Sequence, residues 1–219
     1  ENENKSIIEF EKIVKPLGLD GKMVIYSKIQ SDTLPSILVW GDSHAGMLEF
    51  DVSNNDYNII KLVTAGCPSL LETLRRDSIG HSTNCNEIVD RLIITDFIKE
   101  INPEIVILIN RYNVYLYGWR KKFILNEQNH YLYKNDSKDS SFYARKDAVE
   151  HGLFKTIEFI DSIGAKCVLV RPFPSIANSG DIKESYKKGI RKILDYGDMY
   201  NFYVIDSIFN RVYNKNIII

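Results

Sequence analysis

Long apolar runs are missing from this sequence: the longest, Ile105 to Ile109, falls far short of the roughly 20 residues that cross a bilayer. Net charge is missing too, because 28 lysines and arginines face 29 aspartates and glutamates. A balance of −1 gives no electrostatic attraction to nucleic acid or to an anionic surface, so no nucleic-acid partner is expected. Cysteine is scarce, at three, and no cluster of His, Cys, Asp and Glu has metal-ligand spacing. No Gly-x-Gly-x-x-Gly or Walker-type loop follows the first strand-like run, which argues against a nucleotide-binding domain. Repeats, low-complexity tracts and a signal peptide are also absent from the sequence. The chain opens on Glu1 rather than methionine and is expected to be a piece of something longer.

What is present is the composition of a globular protein. Hydrophobic residues make up 44% and charged residues 26% of 219 positions, enough for one sizeable domain with a real core. The cysteines allow two readings. All three are reduced thiols, or Cys67 and Cys85 close a loop-like stretch from Pro68 to Asn84. A loop of that size gains about 3 kcal/mol from the bridge by chain entropy.

Strand and helix patterns alternate along the chain. Ser36 to Trp40, Asn58 to Ala65, Glu104 to Asn110 and Ala165 to Val170 read as buried strands, with a fifth at Phe202 to Ile205. Helical stripes cover Asn86 to Ile101, Ala144 to Ile163 and Asp181 to Tyr196. This alternation predicts an α/β fold, a parallel sheet with helices on both faces. Residues 1–35 read as a lead-in, linker and helix, and 36–219 as the domain proper. Arg111 to Phe142 is expected to be an insertion over the sheet's carboxyl edge, with a hairpin pairing Lys122–Leu125 with Tyr131–Tyr133. Within it Tyr112, Tyr115, Tyr117 and Trp119 suit either a sugar-stacking platform or packing against the sheet.

The sharpest feature is Trp40-Gly41-Asp42-Ser43-His44-Ala45, at the end of the first strand and the start of a helix. A serine there has its hydroxyl where the helix dipole and free N–H groups favour a developing anion. Its own N–H is placed to donate to a tetrahedral oxyanion. Asp42 and Ser43 also read as plain N-capping residues.

That hexapeptide resembles the first block of the SGNH hydrolases, also called GDSL-like esterases. It is most similar to one branch, the extracytoplasmic SGNH domain fused to the acyltransferase-3 membrane domain of bacterial enzymes that O-acylate surface polysaccharides. Cys67-Pro68 with Cys85, and Ile109-Asn110-Arg111-Tyr112, are similar to further features of that branch. The resemblance runs from about Ser36 to Asp206 and implies a flavodoxin-like three-layer α/β/α sandwich with a parallel sheet of about five strands. It implies Ser43 as the nucleophile and the N–H groups of Ser43 and Gly66 with the Asn110 amide as oxyanion donors. Asn113 is the rival to Asn110. It further implies substrate contacts from His44, Arg111 and Tyr112, and a Cys67–Cys85 disulfide. The location implied is the periplasm or extracytoplasmic face of the inner membrane, within a membrane protein. No cofactor is expected in the domain, since an acyl donor such as acetyl-CoA is used by the membrane portion, and the acceptor is a cell-surface glycan.

One block departs from the family. SGNH enzymes end with Asp-x-x-His, whose histidine takes the serine's proton. No histidine follows His151, and Asp206-Ser207-Ile208-Phe209 has phenylalanine at the base's place. A truncated C-terminus is the expected reason, and His81 is the stand-in considered. The alternative is a catalytically degenerate domain that binds or docks glycan.

Overall fold

In the computed structural model, the described residues are 23–29, 31, 33–48, 56–77, 92–117, 130–134, 139, 141–171, 196–212 and 217–218. Apolar segments rich in branched residues make the strands β1 (Met23–Lys28), β2 (Ser36–Gly41) and β3 (Asn58–Thr64). They also make β5 (Ile105–Ile109) and β7 (Lys166–Leu169), while the polar β4 (Thr73–Asp77) and β6 (His130–Lys134) form a separate pair. The last strand, β8, is Ile217–Ile218. The helices are α1 (Ser43–Met47), α2 (Leu92–Ile101), α3 (Tyr112–Tyr117), α4 (Phe142–Ser162) and α5 (Tyr196–Val212).

A six-stranded sheet runs in the order β1-β3-β2-β5-β7-β8, with β1 antiparallel to β3 and the remaining neighbours parallel. Side chains alternate across it. Leu38, Trp40, Ile60, Leu62, Val106, Leu108, Cys167 and Leu169 enter the main core, which also takes Ile94 and Ile98 of α2, Leu153 of α4 and Ile208 of α5. Val39, Val63 and Ile109 point the other way and pack with Ala45 of α1. The α/β reading therefore stands, and strands apolar on both faces are what such burial requires. Without its antiparallel edge, the sheet has the doubly wound order 2-1-3-4-5, which reverses between β2 and β5. A crevice for ligands belongs at the carboxyl ends of those two strands.

Several expectations need correction. Phe202 to Ile205 is not a strand but part of α5, because Ile205, Ile208 and Phe209 recur at helical spacing and are fully buried. The strand after β7 is instead Ile217–Ile218, pairing with Cys167 and Val168. Residues 73–77, read as loop, form β4, and Tyr131–Tyr133 pairs with it rather than with Lys122–Leu125, which lies outside the described residues. Met23–Lys28, assigned to the lead-in, joins the sheet as β1. The start of the expected insertion is core, since Tyr112, Tyr115 and Leu116 of α3 are buried in the main cluster. The helix expected over Asp181–Tyr196 lies outside the described residues except for Tyr196, which begins α5.

Candidate functional site

At the reversal point, β2 ends on Gly41 and β5 runs into Asn110. A Cβ on Gly41 would lie 1.8 Å from the Ile109 carbonyl oxygen, so only glycine lets the two strand ends approach this closely. Asp42 then turns the chain into α1. It is 2% exposed, and its carboxylate is the hub of the turn. Oδ1 accepts from the His44 N–H at 2.9 Å, the N-cap bond of α1. Oδ2 accepts from the Arg111 N–H and the Tyr115 hydroxyl, both at 2.8 Å. His44 Nδ1 also sits 3.2 Å from Oδ1, and this side chain lowers the Asp42 pKa more than any other neighbour. Burial alone raises the Asp42 pKa, but these donors outweigh it and hold the carboxyl below its usual value of 3.8. Ser43 follows as the first residue of α1 and is exposed. The far end of α1 is tied down by Lys61 Nζ, which donates to the Leu48 carbonyl.

Asn110 locks three segments together. Its Oδ1 accepts from the backbone N–H groups of Asp42 (3.2 Å) and Ser69 (3.0 Å). Its Nδ2 donates to Ser69 Oγ (2.7 Å) and to the Tyr112 hydroxyl (3.1 Å). Two backbone N–H groups can only donate, so the amide orientation is fixed by the network. The Ser69 segment is itself held by Thr156 of α4, whose hydroxyl accepts from the Leu71 N–H at 2.9 Å. The third wall is the turn after β3. Gly66 adopts a φ of +71°, and the Cys67 N–H donates to the Thr64 carbonyl at 3.0 Å. Cys67 is disulfide-bonded, and Cys85, its expected partner, lies outside the described residues. The Cys167 thiol is free and buried, its pKa pushed up to about 12 by burial.

The family described as SGNH domain (fused to AT3 domains) matches residues 17–201 of the chain. The chain belongs to this family. No curated protein and no solved structure matches it.

Within this SGNH domain the sequence-derived site residues divide. Ser43, Gly66 and Asn110 come from the ends of β2, β3 and β5, the three strands at and beside the reversal. Asn110 does not offer a donor to an oxyanion: both amide hydrogens are used on Ser69 and Tyr112, and the residue is 3% exposed. It is a strut for the Ser43 turn. Tyr112 is likewise corrected from substrate contact to core, fully buried with its ring edge-on to Phe209 at 5.1 Å. The Asp206–Phe209 stretch is a helical turn in which Asp206 pairs with Arg171 and Phe209 fills the core, so it supplies no acid–base block. Arg111 is exposed beside Asp42, and His44 is partly exposed there. His81 lies outside the described residues, and the side chains of Asn113 and Tyr117 are not described. Among the described residues, no group of three or more His, Cys, Asp or Glu could hold a metal ion.

Sequence reading missed Tyr115 as a support for the site; its only signal was a position three residues after Tyr112 on one helix face. Tyr115→Phe removes a donor from a buried carboxylate and should cost about 1–3 kcal/mol in urea unfolding at pH 7. Because the folded-state pKa of Asp42 is depressed, its contribution exists above the unfolded value of 3.8 and is lost as pH falls through the lower folded value. The gap between wild type and Tyr115→Phe should therefore narrow as pH drops through the carboxylate range; a gap independent of pH would contradict the network.

Proposed function

We propose that this domain carries out serine-dependent O-acyl transfer, as an O-acetyltransferase or esterase, on a bacterial cell-surface polysaccharide. The observation that carries the reading is the contrast at β2's end. Gly41 and Asp42 are buried and fixed, whereas Ser43, the first residue of α1, is left exposed at the reversal of strand order. In the proposed reaction, Ser43 Oγ bonds to the acyl carbonyl carbon and the donor's leaving group departs with the proton. The N–H groups of Ser43 and Gly66 hold the oxyanion, and a sugar hydroxyl or water then takes the acyl group from the serine. Arg111 and His44 border the acceptor. Membership of a family described as fused to AT3 domains supports a membrane acyltransferase-3 portion as partner and source of the acyl group. The Cys67 disulfide supports an oxidising, extracytoplasmic location, with Cys85 as the proposed partner.

The test is acyl capture. Full-length protein is mixed with an aryl acetate, quenched in acid and digested, and acetyl is expected on the peptide containing Ser43. Its absence from Ser43 would sink the proposal.

One observation favours a second reading, a glycan-binding or docking domain without catalysis. The described imidazoles are engaged elsewhere, His44 with Asp42 and His151 with Glu72 at 3.0 Å. Glycan binding without acyl capture by the full-length protein would establish that reading.

A further inference from the structure

Arg75 lies on β4, outside every residue assigned above, yet it reaches the site. Its Nη1 donates to the Gly66 carbonyl, and that end of the guanidinium lies against the glycine. A Cβ on Gly66 would meet Nη1 at 2.7 Å, Cζ at 3.7 Å and Nη2 at 3.9 Å, so the arginine occupies the space a side chain would need. Gly66 is thus required twice over, by its left-handed φ of +71° and by the arginine beside it. The strand that carries the guanidinium is tied to the core. Arg75 pairs across to Leu132 of β6, which is buried in the main core, and Thr73 at the start of β4 packs against Gly152 of α4. Burial lowers the pKa of Arg75, and the nearby Tyr115 and Asp42 offset part of that effect. A half-buried arginine thus bears directly on the Gly66 turn.

We infer that Arg75 is a positioning residue for acyl transfer, holding the Gly66 backbone so that its N–H faces the oxyanion. The inference rests on the serine reading of Ser43 and Gly66. Arginine suits the role because its planar fork grips a carbonyl in a fixed direction, whereas lysine offers a point charge on a flexible stem. A displaced oxyanion donor acts on the transition state and not on ground-state binding, so the loss belongs in kcat rather than KM.

The experiment measures aryl acetate turnover by full-length wild type, Ser43→Ala, Arg75→Met and Arg75→Lys, with urea unfolding of each. Deleting an oxyanion donor outright costs about 10²–10³-fold, so Arg75→Met is expected to lose about 100-fold in kcat with KM within about twofold. Arg75→Lys should recover most of it, remaining about 3- to 10-fold below wild type. If Arg75→Met shows no cooperative unfolding, Arg75→Lys decides by the same split. A Ser43-dependent rate with wild-type kcat in the folded Arg75 variants, or a loss confined to KM, overturns the inference alone. Equal turnover by wild type and Ser43→Ala overturns the serine reading and this inference with it.

Discussion

Ser43→Ala is expected to lower aryl acetate turnover by the full-length protein at least about 10³-fold while leaving its urea midpoint unchanged. The size of the loss follows from chemistry: without Oγ no acyl-enzyme forms, and what remains is the modest rate supported by oxyanion donors and binding alone. A factor of 10³ corresponds to about 4 kcal/mol in the barrier. The unchanged stability follows from exposure. Ser43 caps nothing and covers nothing, since Asp42 is the N-cap residue of α1 and its carboxylate makes the capping bond. Surface substitutions of this kind stay within about 0.5 kcal/mol. The pairing of a large kinetic effect with none on stability separates a nucleophile from a structural serine. A variant that lost activity together with several kcal/mol of stability would return Ser43 to a structural role.

Gly41→Ala is expected to fail in the opposite way, through the fold. The new methyl would sit 1.8 Å from the Ile109 carbonyl oxygen and 2.8 Å from its carbon, both backbone atoms of the neighbouring strand. No rotamer relieves a backbone clash, so β2 and β5 must part where the Asp42 and Asn110 hydrogen bonds cross between them. A loss of about 4 kcal/mol or more is expected in urea unfolding, in the range that marks a named steric cause. Gly46→Ala is the control. Its Cβ would find Val63 Cγ1 at an ordinary 3.5 Å, within a helix that favours alanine over glycine by up to about 1 kcal/mol. Equal tolerance of alanine at both positions would refute the close approach.

The frame of this domain was legible because its strands are buried on both faces. Ser36–Gly41, Asn58–Thr64 and Ile105–Ile109 stand out as apolar runs, and Phe142–Ser162 as a long stripe closed by Gly164. The β4–β6 pair was not legible, since Thr-Leu-Arg-Arg-Asp carries no alternation and its partner lies far along the chain. Phe202–Ile205 misled through residue type: aromatic and branched residues favour strands, but packing on one helix face decided the outcome. The position of Ser43, at the turn where β2 gives way to α1, was legible from its place after a strand. Asn110 was legible as a site residue but not in its role, because an amide serves equally as donor or strut. Only the positions of the Asp42 and Ser69 backbones settle which it is. The tyrosines of α3 pose the same problem, since a stacking face and a core face use the same rings.

The bonds around Asn110 and Asp42 also bear on when the site comes into being. The longer of them join residues 41, 68, 69 and 73 positions apart, whereas α1, with its serine, spans only five residues. Closing such distant pairs costs chain entropy that local structure does not, so they assemble after the neighbouring elements are in place. A nascent or partly unfolded chain therefore displays Ser43 without the walls that surround it. On the serine reading, acyl transfer depends on completion of the fold, because the bonds that surround Ser43 join segments far apart in sequence.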